Sequence, residues 1–115
     1  IVSTGGAARG VALVFIQKLC TAFHEFAPAW EAGALSPSRL LYFRERLAGR
    51  AQRVLDVLAC NALDGLDGVG TLRDLLAEIR SAGSMQALAD LAEAIHQVNH
   101  VLCDALEQIP ALDHP

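Results

Sequence analysis

Apolar residues recur every three or four positions along most of this chain, a spacing that predicts amphipathic α-helices. The first stretch predicts a helix from about Ala7 to Ala27, after a glycine-rich start. Pro28 should kink or end this helix, and Gly33 should stop any continuation. The predicted buried stripe consists of large apolar residues: Ile16, Leu19, Phe23, Phe26 and Trp30.

A second helix is predicted from Pro37 to about Ala62, because Ser36 is a good N-cap and proline suits the first helical position. Its core stripe has the same spacing: Leu40, Phe43, Leu47, Ala51, Val54 and Leu58. Residues 63–70 hold three glycines and two aspartates, a composition that predicts a loop.

Thr71 followed by Asp74 resembles a capping box and predicts a short third helix with Leu72, Leu75, Leu76 and Ile79 facing inward. Ser84 should cap a fourth helix that continues until Pro110. The seam of this helix is predicted at Leu88, Leu91, Ile95, Val98, Leu102, Ala105 and Ile109. Residues 1–115 are therefore expected to form one all-α domain, an up-down bundle of three long helices and one short one.

The beginning of the first helix is apolar on every side, because Val11, Val14 and Phe15 lie off its buried stripe. Hydrophobic residues make up 53% of the chain and the mean hydropathy is +0.35, which is high for a monomer. We therefore expect dimerisation to complete the bundle, with Val11, Val14, Phe15 and Trp30 in the homodimer interface. The leading functional hypothesis is a non-enzymatic protein–protein interaction or oligomerisation module.

Polar side chains form a second stripe on the fourth helix: Glu93, His96, His100, Cys103 and Glu107. This stripe should point away from the core of its own subunit, because it lies about 140° around the helix from the apolar seam. His96, His100 and Cys103 have a spacing that suits a zinc ion or another divalent transition metal, with Cys20 and His24 as further ligands. A solvated polar face is the favoured interpretation, and a metal-binding bundle is the alternative function.

Basic residues form a ridge on the second helix: Arg39, Arg46, Arg50 and Arg53. The ridge suits phosphates or an acidic partner, but we favour pairing with Asp90 and Asp104, or with Asp74 and Glu78, on neighbouring helices. The formal net charge of −4 argues against a dedicated nucleic-acid binder.

The sequence lacks the motifs of the common enzyme classes, so we expect no catalytic activity. No serine has a Gly-x-Ser-x-Gly setting, and the glycines at 65, 68 and 70 precede no Lys-Ser/Thr pair. Phosphotransfer domains are of similar size, but the Lys and Gly that follow their histidine are missing here. The longest apolar run, Val11 to Ile16, is too short to cross a membrane, and three unpaired cysteines favour the cytoplasm.

Overall fold

The computed structural model describes residues 4–31 and 37–108, with side chains for residues 9–26 and 38–108. This part of the chain consists of four α-helices without strands: α1 (Thr4–Glu31), α2 (Pro37–Cys60), α3 (Val69–Ser81) and α4 (Met85–Glu107). The predicted all-α class with three long helices and one short helix is confirmed. The predictions for Gly33, Ser36, Ile109 and Pro110, and for the side chain of Trp30, lie outside the described residues.

The four helices form a closed ring in which each packs against the next and α4 packs against α1. The α1–α2 pair is antiparallel, because the rings of Phe26 and Phe43, on either side of the connection, lie 5.4 Å apart edge to face. Between α2 and α3, Arg80 donates a 3.0 Å hydrogen bond to Gln52. Consecutive helices therefore run in opposite directions in an up-down topology, and α1 and α4 are also antiparallel.

Aliphatic side chains from all four helices fill the core. The most deeply buried are Leu19, Leu47, Leu58, Leu72, Ile79, Leu88, Ile95, Leu102, Leu106, Val54 and Val69. Full burial of one such side chain contributes about 1.5–3 kcal/mol to folding. The predicted stripes of α1 and α2 are largely confirmed, with Phe23 and Leu40 only half-buried. Ala12 and Ala22 complete the buried face of α1.

The first helix is longer at both ends than the sequence predicts. It begins at Thr4 instead of Ala7 and continues through Pro28 to Glu31. Proline has no N–H to donate to the carbonyl four residues earlier, and the helix continues across the missing bond. Of the two alternatives predicted for Pro28, an end of the helix near Ala27 is therefore wrong, and the helix continues as far as the turn that contains Trp30.

The connection between α2 and α3 begins two residues earlier than predicted. Ala62 adopts a left-handed backbone with φ of 57°. The N–H of Leu63 donates to the carbonyl of Leu58 (2.7 Å), and that of Ala62 donates to Ala59 (3.2 Å). These two bonds form a Schellman motif, which ends α2 at Cys60.

The capping box predicted at Thr71 and Asp74 is wrong. Helix α3 begins at Val69, and its N-cap is Gly68, with φ of 96° and no side-chain cap. A Cβ at Gly68 would lie 3.2 Å from Cγ1 of Val101, so packing and backbone both favour glycine there. Because Val69 is buried in the core, the helix begins two residues before the polar signal at Thr71.

The fourth helix is capped as predicted, since the Ser84 hydroxyl accepts a 3.1 Å hydrogen bond from the Ala87 N–H. The buried face is wider than the predicted seam. Leu88, Ile95, Val98 and Leu102 are buried as expected, whereas Leu91 and Ala105 are half-buried. Met85, Asn99 and Leu106 are also buried, because α4 packs against α1 as well as α3. Among the described residues, no helix combines the length and apolar character needed to span a bilayer.

Candidate functional site

The contact between α1 and α4 forms a groove that collects most of the sulfur and imidazole groups of the chain. Two adjoining hollows of about 240 Å³ and 410 Å³ share Cys20, His24, His96 and Asn99 in their walls. The larger hollow also contacts His100 and Cys103. We define the α1–α4 groove by these six residues: Cys20, His24, His96, Asn99, His100 and Cys103.

Asn99 is the buried polar residue of this groove, and its burial was not predicted from the sequence. Its side chain is 4% exposed, and Nδ2 donates a 3.0 Å hydrogen bond to Sγ of Cys20. Oδ1 is buried without a hydrogen-bond partner. A buried unsatisfied carbonyl costs about 1–3 kcal/mol, so Asn99 opposes the stability that its apolar neighbours provide. The one available signal was its position, four residues after Ile95 and three before Leu102.

The two histidines of α4 lie at the outer edge of the groove. His96 and His100 are both exposed, as their position opposite the seam predicts. Their rings meet edge to face with centroids 4.7 Å apart. Successive turns of α4 thus present two neighbouring imidazoles toward solvent.

Cys103 lies half-buried where the groove continues along α4. Burial raises the pKa of its thiol above the ordinary cysteine value, and the nearby Cys20, Glu107 and Asp104 raise the pKa further. Each cause disfavours the thiolate, which is the nucleophilic and metal-binding form. Cys20, Cys60 and Cys103 are all free thiols.

The structure brings the sequence-predicted metal ligands into one groove without arranging them around a common point. Cys20, His24, His96, His100 and Cys103 all contact the larger hollow. Within the described ranges, however, no three His, Cys, Asp or Glu side chains are placed to hold a metal ion. Side-chain rotation is therefore required before three of these groups could bind one ion.

A second groove lies between α1 and α2 and contains most of the predicted arginine ridge. It encloses about 640 Å³. Its walls define the basic groove: Phe15, Lys18, Tyr42, Glu45, Arg46, Gly49, Arg50 and Arg53.

The acidic partner observed for Arg46 is not one of those expected. Arg46 pairs with Glu25 on α1, with N–O distances of 3.0 and 3.3 Å. The prediction that Arg46 pairs with an acidic residue of a neighbouring helix is thus confirmed, but the partner lies on α1 instead of α3 or α4. Among the described carboxylates, none pairs with Arg50 or Arg53.

The predicted interface residues of α1 lie beside the basic groove. Val11 is 46% exposed and Val14 is 48% exposed. Phe15 is half-buried, and the ammonium of Lys18 lies 5.5 Å from the centre of its ring. We define the α1 apolar face by Val11, Val14 and Phe15.

Comparison of the chain with protein-family models, with curated proteins and with solved structures gives no match.

Replacing Asn99 with leucine should stabilise the fold. Leucine has the same branching and removes the unsatisfied Oδ1, so the free energy of unfolding should rise by about 1 kcal/mol. Asn99→Asp, which places a carboxylate at the same point, should instead destabilise the bundle at neutral pH. Urea denaturation measures both effects, and a leucine variant less stable than wild type would contradict this interpretation of Asn99.

Neutralising Glu107 should make Cys103 more reactive. The carboxylate of Glu107 raises the pKa of Cys103, so Glu107→Gln should lower that pKa and increase the thiolate fraction at any pH below it. Alkylation of Cys103 by iodoacetamide at pH 8, followed by peptide mass spectrometry, should therefore be faster. Glu93→Gln is the control because Glu93 is not among the charges acting on Cys103. Equal rates in Glu107→Gln and wild type would contradict the electrostatic cause.

Proposed function

We propose that this protein is a non-enzymatic helical module that self-associates, with the α1 apolar face in contact with a second copy. The observation that carries the proposal is the exposure of Val11 and Val14, at 46% and 48%, on one face of the longest helix. Isolated exposed apolar residues are normal on protein surfaces. Here they occupy successive turns and continue into Phe15, so one partner surface covers them together.

The length of α1 gives additional support. Cys20 lies opposite Asn99 and Glu25 lies opposite Arg46 in antiparallel pairs. Continuing these registers places residues 4–10 beyond the last residues of α2 and α4 by about 10 Å, at 1.5 Å per residue. Three of these seven residues are glycines, which disfavour helix by about 1 kcal/mol each relative to alanine. Contact with a second copy would stabilise these turns.

The smallest assembly in this proposal is a homodimer. Trp30 belongs to the proposed interface on sequence grounds, as a large apolar residue further along the same helix. The cytoplasm is the proposed location, because three free thiols suit a reducing compartment.

Placing a charge on the α1 apolar face should weaken self-association. Val14→Asp buries a carboxylate among apolar groups in the assembly, so the dissociation constant should rise about tenfold or more. Size-exclusion chromatography with light scattering over a range of micromolar concentrations measures the change from the subunit mass of 12.2 kDa.

Leu41→Asp is the matched control because Leu41 is 46% exposed on α2, outside both the α1 apolar face and the basic groove. It should leave the association unchanged. Equal weakening by the two variants, or a wild type that stays at the subunit mass throughout, would overturn the proposal.

Metal binding in the α1–α4 groove is the second candidate function. The observation that favours it is the proximity of two imidazoles, 4.7 Å apart, to two thiols in the same groove. In this proposal His96, His100 and Cys103 rotate to bind a zinc ion, with Cys20 or His24 completing the set. Binding would require loss of the Cys103 proton, which the raised pKa of this thiol opposes.

Zinc or nickel titration should show whether the groove binds a metal ion or is only a solvated polar surface. At about 100 times its dissociation constant, a metal that binds only the folded state adds about 2.7 kcal/mol of stability and raises the melting temperature. The rise should vanish in His96→Ala/His100→Ala and persist in Gln97→Ala, a control on the same helix. The absence of any metal-dependent shift in wild type would remove this candidate.

A further inference from the structure

The charges of this protein are divided between the two halves of the chain. Residues 1–60 carry seven Lys and Arg against four Asp and Glu, whereas residues 61–115 carry two against nine. The first half forms α1 and α2, which are neighbours in the ring, and the second half forms α3 and α4. The bundle therefore has a basic side and an acidic side, although its net charge is −4.

On the basic side, cationic groups surround one groove without enough carboxylates to balance them. Lys18, Arg46, Arg50 and Arg53 all line the basic groove. Glu45 also lines the groove and Glu25 pairs with Arg46, but no described carboxylate pairs with Arg50 or Arg53. Like charges that line one groove repel one another, so an acidic occupant would reduce this repulsion.

On the acidic side, α4 carries no Lys or Arg at all between Met85 and Glu107. Its acids are Asp90, Glu93, Asp104 and Glu107, and all four are exposed. Asp104 lies one turn after Val101, an apolar side chain that is 44% exposed. We define the α4 acidic face by Val101, Asp104 and Glu107.

The two surfaces have the same pattern with opposite charge. On α1, the exposed Val14 lies one turn before Lys18, which lines the basic groove. On α4, the exposed Val101 lies one turn before Asp104. Arg50 and Arg53 also match Asp104 and Glu107 in spacing, since each pair is three residues apart on a helix. Apolar and charged groups can therefore meet their complements in a single contact.

We infer that the basic groove and the α1 apolar face of one copy bind the α4 acidic face of a second copy. This inference rests on the proposed self-association and names the two surfaces that form it. When two copies exchange both contacts reciprocally, they close a two-fold homodimer. When each copy uses its two surfaces on different partners, copies add head to tail into a ring or a chain.

Charge exchange between the two surfaces tests the inference. Arg50→Glu/Arg53→Glu makes the groove acidic, and Asp104→Lys/Glu107→Lys makes the α4 face basic. Each variant alone should self-associate about tenfold more weakly than wild type, because like charges then face each other. An equimolar mixture should associate again, since the unchanged acidic face of the first variant fits the unchanged groove of the second. Sedimentation velocity of each variant and of the mixture measures this.

Arg73→Glu/Arg80→Glu on α3 is the control matched to Arg50→Glu/Arg53→Glu, because it changes the net charge by the same amount outside both surfaces. It should associate as wild type does, and circular dichroism checks that every variant is helical. Association of wild type should also weaken between 50 and 500 mM NaCl, as expected for surface charges at a Debye length that falls below about 10 Å.

The failures of the two proposals are distinguishable. If wild type associates and Val14→Asp prevents it, but Asp104→Lys/Glu107→Lys associates normally, the self-associating function stands and the contact between the basic groove and the α4 acidic face is wrong. If wild type is a monomer at all concentrations, both are wrong. Binding of a duplex oligonucleotide by monomeric wild type, lost in Arg50→Glu/Arg53→Glu, would assign the groove to a nucleic acid and overturn the inference.

Discussion

The packing of α1 between α2 and α4 is the constraint on which the other features of this structure depend. Ile16, Leu19 and Phe26 are buried in the core and fix the rotation of α1 about its own axis. Once that rotation is fixed, the neighbouring helix that each flank of α1 faces is also fixed. Cys20 and His24 must lie toward α4, and Phe15 and Lys18 must lie toward α2. Val11 and Val14 are then left in solvent because the buried arc of the helix is already filled.

The same packing accounts for Asn99, a buried polar residue that lowers the stability of the fold. Asn99 lies on the part of α4 that contacts α1, and its Nδ2 bonds to the thiol of Cys20 while Oδ1 is unsatisfied. An apolar residue would pack at this position with less cost. Buried asparagines in helical bundles can fix one register among several apolar alternatives, at the expense of stability. In a core built mostly from leucine and alanine, Asn99 is well placed to favour the observed pairing of α1 with α4.

Most of the fold follows from the spacing of apolar residues, because a stripe at every third or fourth position has only one way to be buried. That spacing predicted the stripes of α1 to α3 and most of the seam of α4. The ends of helices were harder, since they depend on tertiary contacts. Val69 packs in the core, so α3 begins before Thr71. At the end of α2, a Schellman motif forms with Ala62 in the left-handed position that glycine usually occupies.

The candidate sites were predictable in composition and not in arrangement. The sequence indicated the histidines, the thiols and the arginine ridge, but the pairing of helices decides which of them meet. Arg46 pairs with Glu25 because α1, and not α3 or α4, lies along that side of α2. The position of Asn99 between the predicted seam and the polar stripe gave only a weak signal in a one-helix projection. Its burial follows from the second contact of α4, with α1.

The most direct measurement of the proposed contact is an isotope-filtered NMR experiment on a mixture of two preparations, one with labelled valine methyl groups and one without labels. If the α1 apolar face of one copy lies on the α4 acidic face of another, intermolecular NOEs should connect the methyl groups of Val14 and Val101. NOEs that join Val14 only to Val14 of another copy, or an associated sample in which neither valine has an intermolecular NOE, would contradict it.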